Sequence, residues 1–94
     1  MKTFNWNTEK NQQLITERKI SFEQIVQCIE EGKLLDIVAH HKPDSYSNQQ
    51  ILIVEYQGYC YLVPFVEAET EYFLKTIIPS RKHTKAYIIK ENKK

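Results

Sequence analysis

Glycine is nearly absent: Gly32 and Gly58 are the only two in 94 residues. That excludes a glycine-rich loop wrapping phosphates with backbone amides, whether of the P-loop or the dinucleotide-binding kind. Cysteine is equally scarce, and Cys28 and Cys60 lie in separate apolar stretches without the paired spacing that holds zinc. Both are expected as small buried hydrophobes, with no disulfide. His40 and His41 are adjacent, so on a strand their rings would point to opposite faces and could not share an ion. No metal and no cofactor is expected. No apolar run approaches the length of a membrane span, and MKTFNWNTEK has no apolar signal-peptide segment. The expectation is a cytoplasmic protein with no membrane partner. Repeats, low-complexity tracts and the nucleophile signature of the hydrolases are missing too.

What is present is an ordinary globular composition, 41% hydrophobic and 27% charged, long enough for one core but not two. A single domain over residues 1–90 is expected, with 91–94 a disordered tail. Phe4-Asn5-Trp6 predicts a short strand. Asn7 is the expected N-cap of a polar helix to about Arg18, with Leu14 and Ile15 inward and Trp6 a lid. Ser21 and Gln24 have the spacing of a capping box, and Ile20 and Ile25 that of a hydrophobic staple. Phe22, Ile25, Val26 and Ile29 then recur at helical intervals until Gly32, expected as a left-handed cap. A strand over 34–39, a polar loop over 40–48 and a hairpin of 50–56 with 59–66, turning at Gln57-Gly58, come next. Pro64 predicts an edge position or a bulge in the second hairpin strand. After an acidic turn, residues 72–78 read as one strand that Pro79 ends, and Ser80 as the N-cap of a last helix. The order gives an α+β architecture: two N-terminal helices packed on an antiparallel sheet of about four or five strands, followed by a C-terminal basic helix.

Net charge is only +1, but it is unevenly spread. Residues 75–94 hold seven Lys or Arg against Glu91 alone, leaving six against eleven Asp or Glu in residues 1–74. The first turn of the last helix carries Arg81, Lys82 and His83, with Lys85 beyond, where the helix dipole favours the opposite sign. A phosphate ligand would offset that, and a solvated basic face near a frayed terminus is the alternative. Tyr87, Glu55 and Glu67 are the other polar candidates; packing accounts for the first and solvent-facing strand positions for the two carboxylates.

Several strings resemble the BrnT family, toxins of type II toxin-antitoxin systems with a RelE-like fold. Phe4-x-Trp6 followed by Asn7 and Lys10 is similar to the family's Phe-x-Trp-Asp and lysine. Ile20-Ser21-Phe22-Glu23 is similar to its Val-Ser-Phe-Glu, and Ile77-Ile78-Pro79-Ser80-Arg81-Lys82 to its Ile-Ile-Ser-Ala-Arg, with Thr84 and Tyr87 in the helix that follows. The resemblance implies a metal-independent endoribonuclease that blocks translation and is silenced by a cognate antitoxin. RNA would be its substrate, free or at the ribosome. The chain departs from the pattern at Thr76, where many members have arginine, at Arg18-Lys19 in place of His-Gly, and at Asn48, Gln49 and Gln50. On this reading Arg81 is the phosphate clamp, because a guanidinium offers a bidentate fork. His83 is the proton-transfer candidate, and Lys75, Lys82 and Lys85 hold flanking phosphates. A catalytically degenerate RNA-binding or protein-interaction module on the same fold is the alternative.

Overall fold

The computed structural model describes residues 3–39 and 49–89. Strand β1 (Thr3–Trp6) leads into helices α1 (Thr8–Arg18) and α2 (Phe22–Glu30). Strands β2 (Leu34–Ala39), β3 (Gln49–Tyr56), β4 (Tyr59–Glu67), β5 (Glu71–Leu74) and β6 (Ile78–Pro79) follow, and helix α3 (Arg81–Tyr87) comes last. The α+β architecture is present. The loop expected over 40–48, with its two histidines, and the tail over 91–94 lie outside the described residues. No helix among the described residues is long and apolar enough to cross a membrane.

Capping side chains start all three helices. Asn7 accepts from the Lys10 amide at 2.9 Å, and Ser21 and Gln24 form the reciprocal capping box. Ile20 and Ile25 flank that box fully buried, as a staple requires. At the end of α2, Gly32 at φ +86 lets the Gly32 amide reach Ile29 O at 3.1 Å and the Lys33 amide reach Cys28 O at 2.9 Å. This is a complete Schellman pattern. Helix α1 differs from expectation: Leu14 is buried, but Ile15 is 39% exposed and Asn11 is buried instead. Positions 11, 14 and 18 are three and four residues apart, so they share the inward stripe from which 15 is rotated away. Trp6 stacks at 5.6 Å on Phe22, so its ring partner belongs to α2 rather than α1.

The sheet is mixed, not antiparallel, in the order β1-β5-β4-β3-β2 with β6 also on β4. β1 runs parallel to β5, Phe4 opposite Tyr72. Helices rather than a tight turn follow β1, so nothing local forces an antiparallel partner on it. The expected single strand over 72–78 is broken in two. β5 pairs with Phe65, Val66 and Glu67 of β4, and β6 with Tyr61 and Leu62, on the same edge. Pro64 sits at the break and explains it: its carbonyl accepts from the Lys75 amide at 2.8 Å, but it has no N–H to return. Between the two pairings Lys75, Thr76 and Ile77 face only Val63 and Pro64, the uneven count of a bulge. β4 is thus an interior strand, not an edge. Pro79 does not end the ladder either; it pairs with Tyr61, and the Ser80 amide donates to Cys60 O at 3.0 Å.

The main core lies between α1, α2 and one sheet face, built from Leu14, Phe22, Ile25, Leu52, Val63 and Phe65 among others. Alternation puts Ile53 and Cys60 on the opposite face, where both are nonetheless fully buried. Helix α3 packs on β4 and covers them, which makes the protein a three-layer sandwich with one thick and one thin outer layer. Beyond α3 the same face carries half-buried Val38, Ile51, Pro64, Val66 and Phe73, with no described helix over them.

Candidate functional site

Ser80 opens α3 as its N-cap and accepts from the His83 amide at 3.2 Å. The same hydroxyl lies 2.7 Å from His83 Nδ1. Whichever tautomer is present, Ser80 engages Nδ1, as donor to the bare nitrogen or acceptor from the protonated one. Proton exchange with a ligand is left to Nε2. The imidazole stacks on Tyr87 one turn later, centroids 6.1 Å apart and planes at 21°. Tyr87 in turn donates to Asp36 Oδ2 on β2 at 2.8 Å. That bond holds the Tyr87 phenol above its usual pKa, because ionisation would forfeit the donor and face a carboxylate. His83 is therefore clamped from two sides, by Ser80 at the helix start and by Tyr87 one turn on.

Thr84 fastens α3 to the sheet. It is 4% exposed, donates to Ser80 O at 2.7 Å and accepts from the Cys60 amide at 2.8 Å. The Cys60 thiol donates to His83 O at 3.4 Å, and burial pushes both cysteine thiols up. Neither sulfur is a ready thiolate nucleophile.

With Thr84 inward, the remaining positions of α3 are distributed by helical geometry. Arg81 and His83 are about 160° apart around the axis at 3.6 residues per turn. Arg81 shares its flank with Lys85, four residues on, while Lys82 points outward; all three are exposed. His83 shares the other flank with Tyr87. Thr84 is anchored at Cys60, paired with Glu55, whereas Tyr87 is anchored at Asp36, level with Ile53 and Leu62 and further from the hairpin turn. The His83 flank thus looks along the open sheet face, and the Arg81 flank looks away from it. The expected clamp and the expected proton donor sit on one seven-residue helix but do not converge.

Lys75 belongs to the open face. It is exposed, with its Nζ 5.4 Å from the Phe73 ring centroid. Thr76, the departure from the arginine pattern, is half-buried in the break between β5 and β6. Arg18 is spent on structure: its guanidinium donates to Ile77 O, tying α1 to that same break. Lys19, beside it, has φ 60 and ψ 32, a left-handed conformation that glycine adopts without strain. Of the carboxylates, Glu67 is exposed and Glu55 half-buried beside the hairpin turn. No group of three His, Cys, Asp or Glu that could hold a metal occurs among the described residues.

Sequence reasoning named Thr84 only within the family-like string, without its anchoring role, and missed Asp36 and Asn11. A threonine four residues after a capping serine and a lone acid inside the apolar strand LLDIVA were the available signals. Neither says what it bonds to. No family model, curated protein or solved structure matches the chain.

Proposed function

We propose that the protein is an endoribonuclease toxin of a type II toxin-antitoxin pair, with the RelE/BrnT-like arrangement that its local strings resemble. The observation that carries this reading is His83: a histidine on a helix with three cations and no acid, its Nδ1 engaged by Ser80 and its Nε2 without a bond among the described residues. In the reaction the 2′-oxygen bonds to the adjacent phosphorus while solvent water takes its proton. The bond from phosphorus to the 5′-oxygen breaks, and the leaving oxygen takes its electron pair and the Nε2 proton of imidazolium His83. The products are a 2′,3′-cyclic phosphate and a 5′-hydroxyl. Lys75, on the open face that the His83 flank looks along, stabilises the charge that accumulates on the phosphorane, and Arg81, Lys82 and Lys85 hold flanking phosphates. The reading assigns the protein to the cytoplasm, needs no cofactor, and has a cognate antitoxin shielding α3 with an acidic, partly apolar helix.

A binding module that does not cleave is the second reading, and the opposite flanks of Arg81 and His83 favour it. One phosphate cannot readily take a guanidinium from the first and a proton from the second. Cleavage of cellular RNA in chelator by the parent, His83→Ala and Arg81→Ala separates the two. The toxin reading expects cut RNA from the parent and a loss of about 10²- to 10⁴-fold in His83→Ala, the usual contribution of a positioned acid. Bound but intact RNA with the parent, with and without ribosomes, would move the assignment to the binding module.

A further inference from the structure

Phe73, beside Lys75, is an aromatic feature that the reaction above does not use. Phe73 is paired with Val66 on one side and Asn5 on the other, so these three share a row across the open face. Lys75 continues the strand opposite Pro64, one row closer to α3, and Ile78 stands opposite Leu62 in the next. Rows on one face are about 7 Å apart along the strands, twice the rise per residue. The result is a flat apolar strip with one half-buried aromatic ring, one ammonium beside it, and the His83 flank of α3 along its margin.

We propose that this strip is a platform for single-stranded RNA, on which Phe73 stacks a base while Lys75 takes a neighbouring phosphate. The proposal rests on RNA being the ligand of this face, not on its cleavage. The Lys75–Phe73 pair itself points to a base with its phosphate. An exposed ammonium beside a half-buried ring is held more weakly than a stacked base, so an arriving base displaces it. The displaced ammonium is then one side chain's reach from the backbone of the same nucleotide. Sheet faces that bind RNA use this combination, an aromatic for the base and a cation for the phosphate. An acidic amphipathic helix is the competing occupant, but it is recognised by a groove with several anchors, whereas this is a sheet surface on whose described strands Phe73 is the one ring. Lys75 supplies the cation on this face; of its carboxylates, Asp36 is bonded to Tyr87 and Glu71 to Asn5, and half-buried Glu55 lies at the hairpin end, two rows beyond Lys75.

The test is equilibrium binding of a short fluorescein-labelled oligoadenylate in chelator, at several salt concentrations, to the parent and to Phe73→Leu, Phe73→Trp, Lys75→Gln and Arg81→Ala. Phe73→Leu keeps the apolar bulk and removes the ring. It should weaken binding by about five- to a hundredfold without changing the salt slope. Phe73→Trp should bind at least as well as the parent, which separates a lost ring from a lost fold. Lys75→Gln should reduce the slope by about 0.7, the loss of one phosphate contact on a single strand. Parental binding by Phe73→Leu with weakened binding by Arg81→Ala would overturn the platform and leave RNA as the ligand. Weakened binding by both Phe73 variants would assign the residue to packing and overturn the platform. A parent that binds no oligonucleotide at low salt would overturn the platform and the ribonuclease reading together.

Discussion

Three single residues show how narrowly parts of this protein are specified. Lys19 holds a left-handed conformation, which for a residue with a Cβ costs about 1–2 kcal/mol. Glycine would remove that strain but lose about 0.5–1 kcal/mol more backbone entropy on folding. Lys19→Gly should therefore stabilise the protein by about 0.5–1 kcal/mol, read as an upward shift of the urea midpoint at unchanged m; an unchanged or lower midpoint would contradict it. Thr84 is the reverse case. Thr84→Val keeps the shape but strands the Cys60 amide under α3, so a loss of about 1–3 kcal/mol is expected. Thr84→Ser should recover most of it. Asn11 joins two helices with one side chain: its Oδ1 accepts from the Phe22 amide and its Nδ2 donates to Glu23, each at 2.8 Å. The second bond, with help from the α2 backbone, lowers the Glu23 carboxyl below its usual range. A depressed folded pKa contributes stability above the ordinary glutamate value and loses it as pH falls through the folded one. Glu23→Gln should therefore show a smaller drop in stability between neutral pH and pH about 4 than the parent does. An equal acid sensitivity in both would remove Glu23 from the account.

At the scale of elements, legibility followed how local the determinants are. Helix α2 was fully readable because its capping box, staple, apolar stripe and glycine stop all lie within thirteen consecutive residues, Ile20 to Gly32. The Gln57-Gly58 hairpin was readable for the same reason, and both residues have positive φ, as a two-residue turn of this hand demands. The run from Tyr72 to Ile78 was not. Its break is set by Pro64, whose missing amide lies on a different strand, and by Arg18, which holds Ile77 O from α1. The candidate site divides along the same line. Its cations, histidine and N-cap are consecutive and were read correctly as a helix start, but Asp36 and Cys60, which aim that helix, lie far away in sequence. Seven residues are too few for a helix to persist alone, so α3 depends on those anchors. Tyr87→Phe should speed amide exchange throughout α3 while leaving α2 and β3 unchanged; uniform acceleration would mean that α3 does not open as a separate unit.

Across the whole molecule, charge is sorted by layer. α2 carries Glu23, Glu30 and the neighbouring Glu31 without a cation, and α3 carries three cations without an acid. A polyanion should therefore approach only from the α3 side. If Arg81, Lys82, Lys85 and Lys75 all contact phosphates, the logarithm of the RNA association constant should fall with the logarithm of salt at a slope near about −3. A slope near zero would be incompatible with a phosphate-dominated interface. The parallel pairing of β1 with β5 acts on a different axis, time. It joins Thr3–Trp6 to Glu71–Leu74, so β1 gains no strand partner until everything through β5 has been made. A nascent chain that has not yet released Glu71–Leu74 would therefore carry β1 unpaired, with α3 still unmade or inside the exit tunnel.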